Sequence, residues 1–350
     1  PRPLPRQPEA PSRAKGEAGG RPRVLLAFGG DEEAAHDPSL PAALAALGID
    51  SVNLDLFGGH DLLDGELQRA TIRDVRARRY AAIMVATPCG KVSIAREGGH
   101  APQLFDRSGP IEPCPPGWEQ RRAEYLALVD FSCDLIEAAD ASGVLVILEN
   151  PADVALPGPA NWPAKAHHGS LWAHRRVRAM WLRARLAAVT LAQCAFGGSF
   201  RKWTTLWYSL WLEPYIGGWR HLGCVHGFFA HPEVAVGYYP DGTVRSARAA
   251  AYPGRMNQSL AAVLAAGIAA RWFGAPHGSP AASTGAGQLA ALTSEAVCEA
   301  CEDARRQRPR FSSFRNLLPA TDDELRATNL PQPAPPDPPA PRRPCHPTAA

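Results

Sequence analysis

Short apolar runs alternate with longer stretches of helical period through residues 23–273, and this alternation organises the chain. The run RVLLA ends at Phe28-Gly29-Gly30, and PSLPAALAALG then predicts a helix closed by Gly48, since glycine suits the residue after a helix end. In DSVNLDLF the apolar residues Val52, Leu54 and Leu56 alternate with polar ones, predicting a second strand with Asp55 near its end. Residues 66–79 predict a helix. Residues 81–86 form a fully apolar run of strand length that Thr87-Pro88 must end, leaving Cys89 just past its carboxyl end. After a loop rich in Gly, Pro and charge (97–117), a helix is predicted over 119–141 with Leu126, Val129, Cys133 and Ile136 on one stripe. GVLVILENP predicts another buried strand, ending at Glu149-Asn150-Pro151. VTLAQCAFGGSFRKWTTLWYSL reads as strand, glycine turn and strand, with Arg201, Lys202 and Thr204 at the turn. Short strands alternating with helices predict an α/β fold, a doubly wound and mostly parallel sheet.

Composition divides the 350 residues into three regions. Residues 1–22 are rich in Pro, Gly and charge and predict disorder. Residues 274–350 form a Pro/Ala-rich tail, with one short helix expected near 289–306. The intervening segment of about 250 residues suffices for one well-cored domain. With no apolar leader and no run long enough to span a bilayer, the expectation is a soluble chain without a membrane partner. It is expected to be intracellular, in nucleus or cytoplasm, and not secreted. Eight scattered cysteines fit reduced thiols, and a net charge of +3 is too small to imply a polyanionic partner by itself.

Several residue types carry candidate chemistry. In a doubly wound sheet the first strand-to-helix turn and an acid on the second strand can form a nucleoside site, a role open to Phe28, Gly29, Gly30 and Asp55. The alternative is a plain tight turn with a solvated acid. Asp61 either accepts from an adenine amino group or caps the following turn. Cys89 is either a small turn residue or a nucleophile whose thiolate is stabilised by Lys91 and Arg96, close to it in sequence. Between Asp153 and Glu213 there is no acid, while Lys165, Arg175, Arg176, Arg178, Arg183, Arg185, Arg201 and Lys202 are all basic. Such a stretch attracts phosphates, with Lys91, Arg175, Arg201, Lys202 and Thr204 as candidate nucleic-acid contacts. Trp172, Trp181, Trp203 and Trp207, interleaved with these bases, either stack on a flipped nucleotide or turn into the core. Cys224, His226 and His231 form C-x-H-x4-H, which Cys194 could complete as a zinc set; ordinary packing is the alternative. Cys133 reads as packing, and Cys298-x-x-Cys301 as part of the tail.

Parallel strands ending at Pro88-Cys89 and at Glu149-Asn150-Pro151 would put a thiol and a carboxylate on one rim of the sheet. A thiolate adding to a pyrimidine ring makes the neighbouring carbon nucleophilic, while a carboxyl group holds the ring nitrogen and offsets the charge that develops. Here the chain resembles the S-adenosylmethionine-dependent cytosine-5 DNA methyltransferases, in which a Pro-Cys turn supplies the nucleophile and a Glu-Asn dipeptide grips the base. It looks more specifically like methyltransferase-like domains of algal and protist genes and retroelements, in which a Pro-Cys-Gly turn, a Glu-Asn-Pro strand end and an Arg-Lys-x-Thr segment recur. Ser170-Leu171-Trp172, HLGCVHGFFAH and the Ala-Tyr-Pro segment before the last helix continue the likeness in order, over about residues 24–272.

The resemblance implies a Rossmann-like class I methyltransferase fold, S-adenosylmethionine as cofactor and DNA as partner. It implies Cys89 as nucleophile, Glu149 and Asn150 as the base grip, and Pro88 with the glycine turn facing the cofactor. Arg201 and Lys202 would meet the DNA backbone. The chain departs from the family where Asp31 and Glu32 replace the flexible part of the cofactor loop, where Gly90 follows the Pro-Cys turn, and in having no separate target-recognition region. An alternative expectation is therefore a catalytically inactive nucleic-acid-binding domain of a retroelement or polyprotein.

Overall fold

The computed structural model describes residues 20–30, 38–94, 102–158, 162–224 and 245–273, with 226, 231–233, 235, 237, 239–240 and 243. The expectations for the C-terminal tail, for most of the N-terminal segment, and for Asp31, Glu32, Arg96, Cys298 and Cys301 fall outside these residues. In chain order β1 (Arg23–Ala27), α1 (Leu40–Ala46), β2 (Asp50–Leu54), α2 (Gly65–Arg76) and β3 (Ala82–Val85) come first. A small hairpin, β4 (Phe105–Asp106) and β5 (Gly109–Pro110), leads to α3 (Glu119–Ser142) and β6 (Leu145–Pro151). Then follow α4 (Arg175–Ala184), β7 (Ala187–Ala192), β8 (Trp203–Tyr208), α5 (Glu213–Ile216), α6 (Arg245–Arg248) and α7 (Gly254–Phe273).

Six strands form one mixed, largely parallel sheet in the order β2-β1-β3-β6-β8-β7. The first four run parallel, and β8 lies antiparallel to both β6 and β7. The central strands are covered on both faces, which is why β1, β3 and the body of β6 read as continuous apolar runs. Ile83 and Val85 of β3 and Val146 and Leu148 of β6 pack with Val75, Val129, Phe131 and Met180 of α2, α3 and α4. The alternate residues Ala82, Met84, Leu145 and Ile147 face Leu44 of α1 and Leu260 and Val263 of α7. Each of the larger side chains among these, taken fully out of water, stabilises the fold by roughly 1.5–3 kcal/mol. From Leu260 to Ala270 helix α7 is apolar around its whole circumference because it is buried there on every side. Among the described residues no helix is long and apolar enough to cross a membrane.

The chain steps from β1 to β2 on one side and crosses to β3 on the other. Strand order thus reverses between β1 and β3, and loops leaving carboxyl ends at such a point diverge and open a crevice. Phe28-Gly29-Gly30 and Thr87-Pro88-Cys89 leave the strands that flank it.

Local detail departs from expectation in three places. Strand β2 ends at Leu54, because the Asp55 carboxylate accepts from the Phe57 N–H (3.0 Å) and starts a 3-10 turn over Leu56–Gly58. Leu56 is therefore not a third inward strand residue but 72% exposed. Thr204 lies within β8 rather than at the turn before it. The loop over 97–117 contains the β4–β5 hairpin.

Gly267 marks how closely α7 approaches the sheet side of the fold: a Cβ built there would lie 2.2 Å from Leu212 Cδ2 and 3.1 Å from Leu145 Cδ1. Both leucines are buried, so neither can swing into solvent. Gly267→Val is expected to destabilise the protein by about 1–3 kcal/mol through overpacking. Thermal unfolding checks this, and an unchanged midpoint would contradict the close approach.

Candidate functional site

The rim of the sheet is built on the pairing of β3 with β6, in register Val85↔Leu148, so the residues that follow these positions emerge side by side. Asn150 is almost fully buried and donates from Nδ2 to the carbonyl of Thr87 at 2.6 Å. The Thr87 hydroxyl in turn donates to Ser132 Oγ (2.9 Å), whose own hydroxyl donates to the Leu128 carbonyl (2.8 Å). The backbone that leads into Pro88 and Cys89 is thus held from β6 on one side and from α3 on the other. Trp172 fixes the end of β6, its Nε1–H donating to the Pro151 carbonyl at 2.7 Å.

Glu149 is 5% exposed, so its carboxylate needs donors inside the protein. Strand β8 provides one. Gln193 Nε2 donates to Thr204 Oγ1 (2.8 Å), which leaves the Thr204 hydroxyl hydrogen directed at Glu149 Oε1 (3.2 Å). The Tyr252 hydroxyl provides a second, and burial together with the charge on Glu149 holds this phenol well above its usual range. Lys202 places its ammonium over the Tyr252 ring, 5.6 Å from the centroid. Cys89 is half-buried beside these groups. Burial pushes its thiol up, the Glu149 charge adds to the rise, and Lys202 acts against it. The cation that bears on Cys89 therefore comes from the β7–β8 turn and not from the sequence neighbour Lys91, whose ammonium lies over the Trp118 ring at 5.6 Å.

At the β1 rim, Phe28 (φ 60°) and Gly30 (φ 78°) take left-handed backbone, and Gly29 packs against Asn53 so closely that a Cβ would fall 2.3 Å from Asn53 Oδ1. Asp55 Oδ2 accepts from the Gly30 N–H at 3.0 Å, tying the end of β2 to this turn. Each carboxylate oxygen retains a further lone pair. Asp61 Oδ1 accepts from the Leu63 N–H at 2.9 Å, capping the turn before α2.

The basic stretch is divided by the fold. Arg176 pairs with Asp134 (2.6 Å) and Glu137 (2.7 Å) of α3, and Arg183 also binds Glu137, so acids remote in sequence neutralise this face of α4. Arg175, the first residue of α4, is exposed, and Arg201 and Lys202 are half-buried. Trp172, Trp203 and Trp207 are buried, and Trp181 packs against Trp207 in a tilted contact with ring centroids 5.5 Å apart. These three buried tryptophans are core residues. Cys133, on the core-facing side of α3, is buried, its thiol pushed up to about 12 by that burial.

Beyond the β7–β8 turn, donor atoms of Cys194, Cys224, His226 and His231 all lie within 4.8 Å of one another. Cys194 sits on a 3-10 turn over Gln193–Phe196, and Cys224 Sγ lies 3.4 Å from His231 Nε2.

Sequence reasoning missed Tyr252 and Gln193. Tyr252 was visible only as the residue before Pro253 at the start of the last helix, and nothing local marks Gln193 as a partner of Thr204. Comparison of the chain with known protein families, with curated proteins and with solved structures finds no match in any of the three.

Two outcomes are expected from this geometry. Asn150→Ala leaves the Thr87 carbonyl buried without its donor and should cost about 1–3 kcal/mol, with faster alkylation of Cys89 as its loop loosens. Mass spectrometry of the alkylated peptide reads this directly, and an unchanged rate would mean that Asn150 does not hold the loop. Lys202→Met should move the pH midpoint of Cys89 alkylation upward, because a neighbouring cation favours the thiolate. Glu149→Gln should move it downward by removing a like charge. Shifts in the reverse direction would separate Cys89 from both groups.

Proposed function

We propose that this chain is an S-adenosylmethionine-dependent methyltransferase-like protein of class I, Rossmann-like fold, acting on cytosine in DNA through Cys89. The observation that carries the reading is the 2.6 Å hydrogen bond from Asn150 to the Thr87 carbonyl, which holds the Cys89 loop against the strand end that presents Glu149. In this reading the Cys89 thiolate adds to the pyrimidine ring, and Glu149, having taken up a proton when the base enters, donates it to the ring nitrogen where negative charge develops. Lys202 stabilises the thiolate before it adds. Elimination of the thiolate, with a solvent water taking the proton from the substituted carbon and Glu149 regaining its own from the ring nitrogen, then restores the aromatic ring and frees Cys89.

S-adenosylmethionine bound at Phe28, Gly29, Gly30, Asp55 and Pro88 would supply an electrophilic methyl group. The fit rests on the crevice at the β1–β3 reversal and on the surface beside Asp55, where Leu56 and Phe57 are 72% and 77% exposed and a flat heterocycle could cover them. Arg175, Arg201, Lys202 and Lys91 are the cations proposed for the DNA backbone.

One observation favours the second reading, a catalytically inactive nucleic-acid-binding domain. Burial raises the Cys89 thiol and the Glu149 charge adds to the rise against the opposing Lys202 cation, which disfavours the nucleophilic thiolate.

The readings part on covalent capture. DNA carrying 5-fluorocytosine, incubated with protein and S-adenosylmethionine, should form an adduct on Cys89 that Cys89→Ser abolishes. An adduct on Cys114, Cys133 or Cys194 would sink the assignment. Binding of S-adenosylmethionine by calorimetry with no adduct would leave a methyltransferase of another substrate. No donor binding, together with DNA binding that weakens steeply with salt, would leave the binding domain.

A further inference from the structure

We infer that Cys194, Cys224, His226 and His231 bind one zinc ion, as a structural clip that fastens the segment after α5 to the β7–β8 turn. Two sulfurs and two imidazole nitrogens are the donor set of a closed, tetrahedral zinc site, and with four protein donors no position is left for substrate or water. Zn–S bonds of about 2.3 Å and Zn–N bonds of about 2.0–2.1 Å put tetrahedral donors about 3.3–3.8 Å apart. Cys224 Sγ and His231 Nε2, at 3.4 Å, already stand at that separation, and the 4.8 Å limit on the whole set leaves at most about 1.5 Å between any two donors to close.

The framework around the donors is fixed by the fold. Cys194 and Cys224 come from chain segments that the Ala192 N–H joins by donating to the Leu222 carbonyl at 2.8 Å. Further on, Glu233 N–H donates to the Ser199 carbonyl (3.3 Å) and Ser199 Oγ donates to Glu233 Oε1 (3.0 Å), so the same two segments meet again beyond the cluster. Both cysteines are buried, unbridged, and packed with Ala152, Ala192 and Trp203. This apolar shell excludes water from the thiolates and lowers the local dielectric, as second-layer packing does at metal sites. Trp203 follows Arg201 and Lys202 directly, so the ion would set the position of the turn that presents these cations. The inference does not depend on methyl transfer, since it rests on donor chemistry and packing alone.

The test uses the full chain. Protein purified from zinc-supplemented medium is expected to carry one zinc per chain by mass spectrometry of the metal. After exchange to Co2+ it should show the visible bands of a tetrahedral site and a near-ultraviolet thiolate-to-metal band. The double variant Cys194→Ser, Cys224→Ser should lose the metal, whereas Cys298→Ser with Cys301→Ser should keep it. Because the buried double variant could fail to fold, His226→Ala at the exposed ligand provides an independent reading, expected to shift the visible Co2+ bands while the thiolate band persists. Metal lost with Cys298 and Cys301 instead, a cross-linked Cys194–Cys224 peptide in freshly purified protein, or no metal after zinc titration would each overturn the inference.

Discussion

A carboxylate and an amide at the end of a strand buried on both faces must find their partners inside the protein, and the architecture around β6 follows from that requirement. Glu149 is satisfied from β8 and from Tyr252 just before α7, and Asn150 Nδ2 from the backbone that leads to Cys89, while Asn150 Oδ1 stays buried without a protein partner among the described residues. Three elements distant in sequence are therefore committed to one point on the sheet. A buried polar group left without such partners costs more than the hydrogen bond itself contributes, so the arrangement specifies its neighbours as much as it stabilises them.

The reversed strand β8 is what makes this possible. Inserted between β6 and β7 and running against both, it brings its first residues to the end of β6, in register Pro151↔Thr204 and Glu149↔Leu206. Thr204 then faces Glu149, and Lys202, just before the strand, reaches the neighbourhood of Cys89. A parallel strand in the same place would have sent that turn to the opposite rim. Charge follows the same geometry: Arg176 and Arg183 meet the acids of α3, while Lys202 is left at the rim beside the half-buried thiol.

The sequence by itself determined the buried strands β1, β3 and β6 and the helices α1, α2 and α3 between them, because strands covered on both faces must be apolar and helices packed on them must carry an apolar stripe. It also marked Cys89 and Glu149 as strand-end residues, since a Thr-Pro step and a Glu-Asn-Pro step can only fall where a buried strand stops. It erred at Leu56, where alternation continued on paper but Asp55 captured the Phe57 N–H and turned the chain. Only the tertiary structure decided which cation stands by Cys89, which arginines are neutralised, that Tyr252 and Gln193 complete the environment of Glu149, and that four sulfur and nitrogen donors converge beyond β7. Those facts depend on strand order and direction, which place together residues a hundred positions apart, and local periodicity carries no information about either.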